Sequence, residues 1–219
     1  MKITGQKAQI FIDSGSNTSI IQNTGNTIAN TKYFVISKGT TSNIPVSVGM
    51  FFIAPRTGTQ ISLTAGDKIF RINEDRFCKT NASFELSQGT VDVSDDCQPS
   101  ASILDGIVSF SGSLSGLFRY DEVSQEFDNV TEDIINKFLD VIEDIGTGTY
   151  TVHPRDDSQM YLLALLNSGT KTTGQFENWI FAPIIINSMS VSLGNSDPQS
   201  KDLSFTLGEG TPILYKVRT

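Results

Sequence analysis

The residues whose types could do chemistry are a histidine, two cysteines and several pairs of adjacent carboxylates. His153, in "YTVHPRDD", is the single histidine, and Cys78 and Cys97 are the two thiols. An imidazole beside a thiol can generate a nucleophilic thiolate. Neither cysteine stands in a local motif of that kind. One histidine cannot build a His-rich metal site, and the eighteen residues between the cysteines do not match metal-ligand spacing. Acids pair at Asp95–Asp96, Asp121–Glu122, Glu132–Asp133, Glu143–Asp144 and Asp156–Asp157. Glycoside hydrolysis needs two carboxylates held at a set separation, but these pairs lie in stretches that read as solvated turns or helix. No EF-hand loop, dinucleotide or phosphate loop, or nucleophile elbow is present. "GSLSG" (112–116) echoes the elbow, but its middle residue is Leu114 and it sits inside a continuous strand pattern. The expectation is a protein without catalysis, metal or cofactor. Trp179, in "ENWIFAPIII", reads as core and not as a platform for sugars or bases.

The elements that would position any site are mostly strands. The chain has 219 residues, enough for one large domain, with 18 glycines and many Ser, Thr and Asn that signal turns. "AQIFI" (8–12), "KYFVIS" (32–37), "PVSVGMFFIA" (45–54), "QISLT" (60–64), "KIFRI" (68–72), "ASFELS" (82–87) and "TVDVS" (90–94) read as strands. Near the C-terminus, "NSMSVSL" (187–193) and "LSFTL" (203–207) alternate strictly. Two segments predict helices. "TEDIINKFLDVIEDIG" (131–146) carries apolar residues at helical spacing, Thr131 as a cap and Gly146 past its end. "DSQMYLLALLNSG" (157–169) is rich in Leu and Ala and lacks β-branched residues, which predicts a short helix over about 157–167. The fold class is therefore mainly β, a sandwich or small barrel, with helices at about 131–145 and 157–167. The chain reads as a single β domain over 1–219, with an acidic, helix-containing insertion at about 121–157.

Charge is segregated along the chain. The formal net charge is −8. Residues 1–91 hold nine Lys/Arg and five Asp/Glu, whereas residues 92–157 hold three and fifteen. General attraction to nucleic-acid phosphates is not expected. A basic end and an acidic end suit head-to-tail stacking of copies. The N-terminal "MKITGQKAQIFIDSG" lacks a signal-peptide apolar run, and no stretch is long enough for a membrane span. Both thiols are then expected in a reducing compartment.

One strand stands apart. In "GIVSFSGSLSGLF" (106–118), Val108, Phe110, Leu114 and Phe118 share one parity, while Ser109, Ser111, Ser113 and Ser115 share the other. Gly112 and Gly116 interrupt the apolar row. A face of small neutral hydroxyls suits a smooth surface or one covered by another subunit. Glycine gaps permit close backbone approach or curvature. Ser109, Ser111, Gly112, Ser113, Ser115 and Gly116 are the candidate interface or lumen residues.

The order of these pieces resembles the tail tube proteins of long-tailed bacteriophages, whose fold also serves the tube protein of type VI secretion. The resemblance rests on the turn at Asp92–Ser94, the Gly/Ser strand Val108–Phe118, the Leu/Ala segment Met160–Leu166, the Ser-alternating strand Ile186–Leu193 and the closing Ser204–Pro212. It implies a non-enzymatic virion protein made in the cytoplasm of a bacterial host. Six subunits would form a ring, and rings would stack head-to-tail. The tube would meet the tape-measure protein and tail-end proteins, and DNA would pass through its lumen without specific binding. A tail terminator or baseplate tube component, or a β-sandwich module binding carbohydrate or a cell surface, are the alternative readings.

Overall fold

Short apolar runs punctuated by Gly, Asn and Thr become antiparallel strands throughout. The computed structural model describes residues 9–13, 20–56, 60–72, 79–92, 103–117, 120–121, 126–127, 134–144, 149–155, 159–166, 176–192 and 200–218. The larger sheet is built from β1 (Ile10–Asp13), β6 (Lys79–Asp92), β7 (Ile103–Leu117), β12 (Met160–Leu165), β13 (Phe176–Ser192), β14 (Ser200–Leu207) and β15 (Ile213–Arg218). Its order is β1-β12-β13-β14-β7-β6, with β15 also on β13. The smaller sheet runs β2 (Ile20–Gln22), β5 (Lys68–Ile72), β3 (Lys32–Ser37) and β4 (Phe51–Ile53). Two hairpins stand outside both sheets, β8–β9 (Tyr120–Asp121, Glu126–Phe127) and β10–β11 (Val141–Asp144, Tyr150–His153).

β13 is the spine. Its first part, Phe176–Phe181, pairs with β15, and its last part, Ile184–Ser192, pairs along the same side with β14. On its other side β12 covers Trp179–Ile184. Alternate residues feed two cores. Trp179 and Phe181 join Leu163, Leu165, Phe11 and Tyr215 against Phe34 and Phe70 of the smaller sheet. Rings meet at 4.9 Å (Phe51–Trp179), 5.2 Å (Phe34–Tyr215) and 5.5 Å (Phe70–Phe181). Ile180, Ala182 and Ile184 join Ile10, Ile12, Leu162 and Ala164, and that core continues into Leu203, Phe205, Leu114 and Phe110. The arrangement is that of a β-sandwich whose larger sheet extends beyond the smaller one. Trp179 is buried, as its context predicts.

Two polar groups are locked into this frame. Asp67 is fully buried and accepts the N–H groups of Gly39 (3.0 Å) and Thr64 (2.8 Å) and the Thr64 hydroxyl (3.0 Å), tying two loops to the smaller sheet. Burial pushes its carboxyl up. Hydrogen bonds from the Ser42 side chain, the Thr64 and Gly39 backbone and the Thr64 hydroxyl outweigh this and hold it below 3.8. The Tyr215 hydroxyl donates to the Ile36 carbonyl at 3.0 Å, and burial raises its pKa to about 12.

The structure corrects both expected helices. Over 131–146, the described part begins with a single helical turn at Ile134–Ile135, which runs through a turn to Phe138 and then becomes strand β10. Ile134 is fully buried in the second core. The β-branched Val141 and Ile142 prefer a pleat, and "YTVH" (150–153) gives them a partner strand, so pairing outweighs helical spacing. Over 157–167, residues 160–165 form β12, not helix. Both its faces are buried: Met160, Leu162 and Ala164 enter one core, Leu163 and Leu165 the other. A strand buried on both sides carries no alternation, so its run of Leu and Ala looks helical in sequence.

Candidate functional site

The serine parity of β7 extends across four strands. β7 lies between β14 and β6, and β14 lies beside the end of β13. In register, Ser188, Ser204, Ser113 and Ser83 form one row from β13 to β6. Ser190, Asp202, Ser115 and Asn81 form the row on one side of it. Ile185, Thr206, Ser111 and Glu85 form the row on the other, and Ser109 opposite Ser87 continues it. All these side chains are exposed or half-buried. None of them is a Lys or Arg.

Six of the hydroxyls are spent on one another in pairs. Ser83 and Ser113 share a hydrogen bond at 2.8 Å, Ser87 and Ser109 at 2.6 Å, and Ser188 and Ser204 at 2.6 Å. The Thr206 hydroxyl donates to Asn187 Oδ1 at 3.2 Å. Paired hydroxyls offer a passing solute fewer free donors than the residue count suggests. Asn187 is itself the adjustment that completes the face. A bulge between Ile186 and Ser188 shifts parity by one, so that Ile186 and Met189 both contact the core while Ser188 faces the serine row.

The two glycines sit on the opposite, core-facing side. Gly112 is in register between Phe205 and Phe84. The rings of Phe84, Phe110 and Phe205 gather there, with centroids 5.7 to 6.1 Å apart. A Cβ on Gly112 would lie 2.6 Å from Phe205 Cζ and would also strike the Ser83 carbonyl oxygen. The gap in the apolar row is thus the space that phenylalanines from both neighbouring strands fill. Gly116 lies between Lys201 and Lys79 in the same way, and Lys201 is 1% exposed.

This four-stranded segment ends in two unpaired edges among the described residues. β6 pairs only with β7, and Ile185–Ser192 of β13 pairs only with β14, since β12 stops at Ile184. β7 also outruns β14. Its pairing with β14 ends at Ser111, while its pairing with β6 continues to Ile103. The overhanging ribbon exposes Leu86 and Val108.

The structure brings Ser109, Ser111, Ser113 and Ser115 together on one surface and places Gly112 and Gly116 beneath it. Asn81, Ser83, Glu85 and Ser87 of β6 complete that surface and carry no signal of their own in the sequence beyond the alternation of "ASFELS". His153 lies on β11 opposite Val141, and Glu143–Asp144 lie on β10. Cys78, Cys97, Asp95–Asp96, Glu132–Asp133 and Asp156–Asp157 lie outside the described residues, as does Glu122 of the Asp121–Glu122 pair. Among the described residues, no group of three or more His, Cys, Asp or Glu could hold a metal ion, and no helix is long and apolar enough to cross a membrane.

No protein-family model matches the sequence, and no curated protein does. Among solved structures, a chain in the virion of a native gene transfer agent particle is similar over 63% of this chain and 85% of that one, at 14% identity and a TM-score of 0.40. A chain in the tail of an empty gene transfer agent particle, refined helically with C6 symmetry, is similar over 64% and 83%, at 13% identity and a TM-score of 0.39.

Proposed function

We propose that this chain is a structural subunit of a phage-type tail tube, in which the serine-faced sheet lines a channel. The observation that carries the reading is the four-stranded face itself. Among the described residues it is free of cations, six of its hydroxyls bond to each other in pairs, and it sits on a segment with an open edge at each end. The two edges differ, so copies add head-to-tail around a ring and the contact repeats until it closes. A long unpaired edge such as the 14 residues of β6 is a hazard in a lone chain and a joint in an assembly. The sequence resemblance implies six copies. Four strands from each would close about twenty-four strands, more than the roughly 16–18 that already enclose an aqueous channel in porins.

The face suits transit. Glu85 and Asp202 are its carboxylates, so it repels phosphates and offers them no counter-charge. Protein cargo meets a face on which most hydroxyls already have partners. No chemistry is required of any residue, and the mechanism is assembly followed by passive conduction.

The test is negative-stain electron microscopy of the purified chain over a concentration series. Rings or tubes with a central channel are expected. Single-subunit particles at every concentration would replace this reading with the β-sandwich binding module, which glycan arrays would then probe.

A further inference from the structure

The smaller sheet has a core of its own on the face turned away from the larger sheet. Alternation along its strands puts Tyr33, Val35, Phe52 and Ile69 on this face, while Phe34, Phe51 and Phe70 enter the core shared with the larger sheet. Two loop segments roof the outer face. The strap 38–49, between β3 and β4, supplies Ile44 and Val46. The segment 60–66, ahead of β5, supplies Ile61 and Leu63. The floor residues, Ile44 and Leu63 are all buried.

Both roof segments meet at one carboxylate. Asp67 accepts the Gly39 N–H from the strap and the Thr64 N–H and hydroxyl from the other segment, and the Ser42 side chain of the strap bonds to it as well. The two backbones touch beside it, since a Cβ on Gly39 would strike the Ala65 carbonyl oxygen. The strap is otherwise tied to itself. Lys38 Nζ donates to the carbonyls of Ile44 (2.8 Å) and Val46 (3.0 Å), and the Ile44 N–H donates to the Ser42 hydroxyl at 3.2 Å. At its far end Gly49, at φ +81°, donates to the Val35 carbonyl at 2.8 Å. Between Gly39 and Val48, among the described residues, the polar group outside the strap that holds it is Asp67.

We infer that Asp67 is the latch of a lid made of the strap and the 60–66 segment, and that withdrawing its charge opens the lid and bares the apolar floor while the two sheets stay packed. A buried carboxylate with two oxygens is an acceptor only, and it suits a site where every neighbour donates. Protonation puts an O–H among those donors, so the site loses hydrogen bonds and gains a mismatch. The cations on the elements around it are Lys38 of the strap, whose ammonium is bound to strap carbonyls, and Lys68 and Arg71 of β5; hydrogen bonds, not these charges, hold the Asp67 carboxyl low. The latch belongs to the single chain and acts whether or not copies assemble.

Hydrogen exchange of the full chain at neutral pH, across low urea, tests this on peptides spanning 38–50 and 60–67. In the closed lid the Gly39, Ile44, Leu63, Thr64 and Asp67 amides are all hydrogen-bonded. Asp67→Asn, which sets an amide N–H against the same donors, is expected to speed their exchange about tenfold or more. Gly112→Ala, which strains the distant phenylalanine core, is expected to speed the β12 and β13 amides and leave the lid amides at wild-type rates, because a local opening does not draw on global stability. Lid amides that accelerate with β12 and β13 in Gly112→Ala open only when the whole chain unfolds, and that result overturns the inference. Unchanged lid rates in Asp67→Asn overturn it too. If Asp67→Asn does not fold, Thr64→Val carries the test: it removes the hydroxyl bond and keeps the charge. An acceleration of about fivefold confined to the lid is then expected, and no acceleration sinks the latch.

Discussion

Gly112 shows how one residue on the hidden side controls the exposed one. Three phenylalanine rings close over it, so a methyl group there must displace Phe205 or the Ser83 strand. Gly112→Ala is expected to lower stability by roughly 1–3 kcal/mol, the usual cost of overpacking, read as an earlier urea midpoint with an unchanged slope. Asp67 acts through the pH scale. Its folded pKa lies below the unfolded 3.8, so its contribution is present above that value and is lost as pH falls towards the folded one. Asp67→Asn is expected to cost roughly 1–3 kcal/mol at neutral pH. The gap between wild type and variant should shrink when melts are repeated below pH 3.8. A gap that stays constant down to pH 2 would refute the assignment. Tyr215 runs the other way: raised from 10.0 to about 12, it stabilises the fold below pH 10 and is lost as pH climbs through 12. Tyr215→Phe should remove that alkaline step, leaving the Ile36 carbonyl unpaired at a cost of about 1 kcal/mol.

At the scale of elements, the bulge at Asn187 decides which residues of β13 face the core. Side chains alternate with a period of two, so adding one residue beyond the one the bulge absorbs turns every later side chain over. Inserting one alanine after Asn187 should aim Met189 at the serine face and Ser188 and Ser190 at Leu203 and its neighbours. The expected readout is a destabilised chain that binds a hydrophobic dye, whereas Asn187→Ala, which keeps the count, should melt close to wild type. Strands with one wet face, such as β7 and β14, were legible in the sequence because their alternation is a direct imprint of that asymmetry. β12 was not, because burial on both faces erases the alternation and leaves "MYLLAL" with helix-like composition. The turn and hairpin from Ile134 to His153 misled for a different reason. Ile134, Ile135, Phe138 and Leu139 recur at helical spacing, but the partners of Val141 and Ile142, His153 and Val152, lie twelve and ten residues further on, outside that run. The serine parity and the glycine gaps of β7 could be read directly. The rows Ser188–Ser204–Ser113–Ser83 and Phe205–Gly112–Phe84 could not, since they depend on which strands become neighbours.

For the whole molecule, the channel reading makes a claim about charge that a binding module would not. A surface meant to let a polyanion slide must hold no cation, since each neutralised phosphate releases counterions and adds affinity. Ser113 and Ser204 are opposite one another near the middle of the face. Ser113→Lys/Ser204→Lys places two cations there in every copy without touching Gly112, the phenylalanines or either sheet edge. Assemblies of this variant are expected to form as the wild type does, by microscopy, yet to retain single-stranded DNA short enough to enter the channel. Retention should fall steeply as salt is raised, with a logarithmic slope that grows with the number of phosphates neutralised. Wild-type assemblies should retain none even at low salt. If wild type and variant hold DNA equally, the serine face is not the surface the polyanion meets, and the lining belongs to another part of the subunit. If the variant alone gains salt-sensitive retention, the smallness and neutrality of these side chains have a physical purpose. They would then keep a conduit from becoming a binding site.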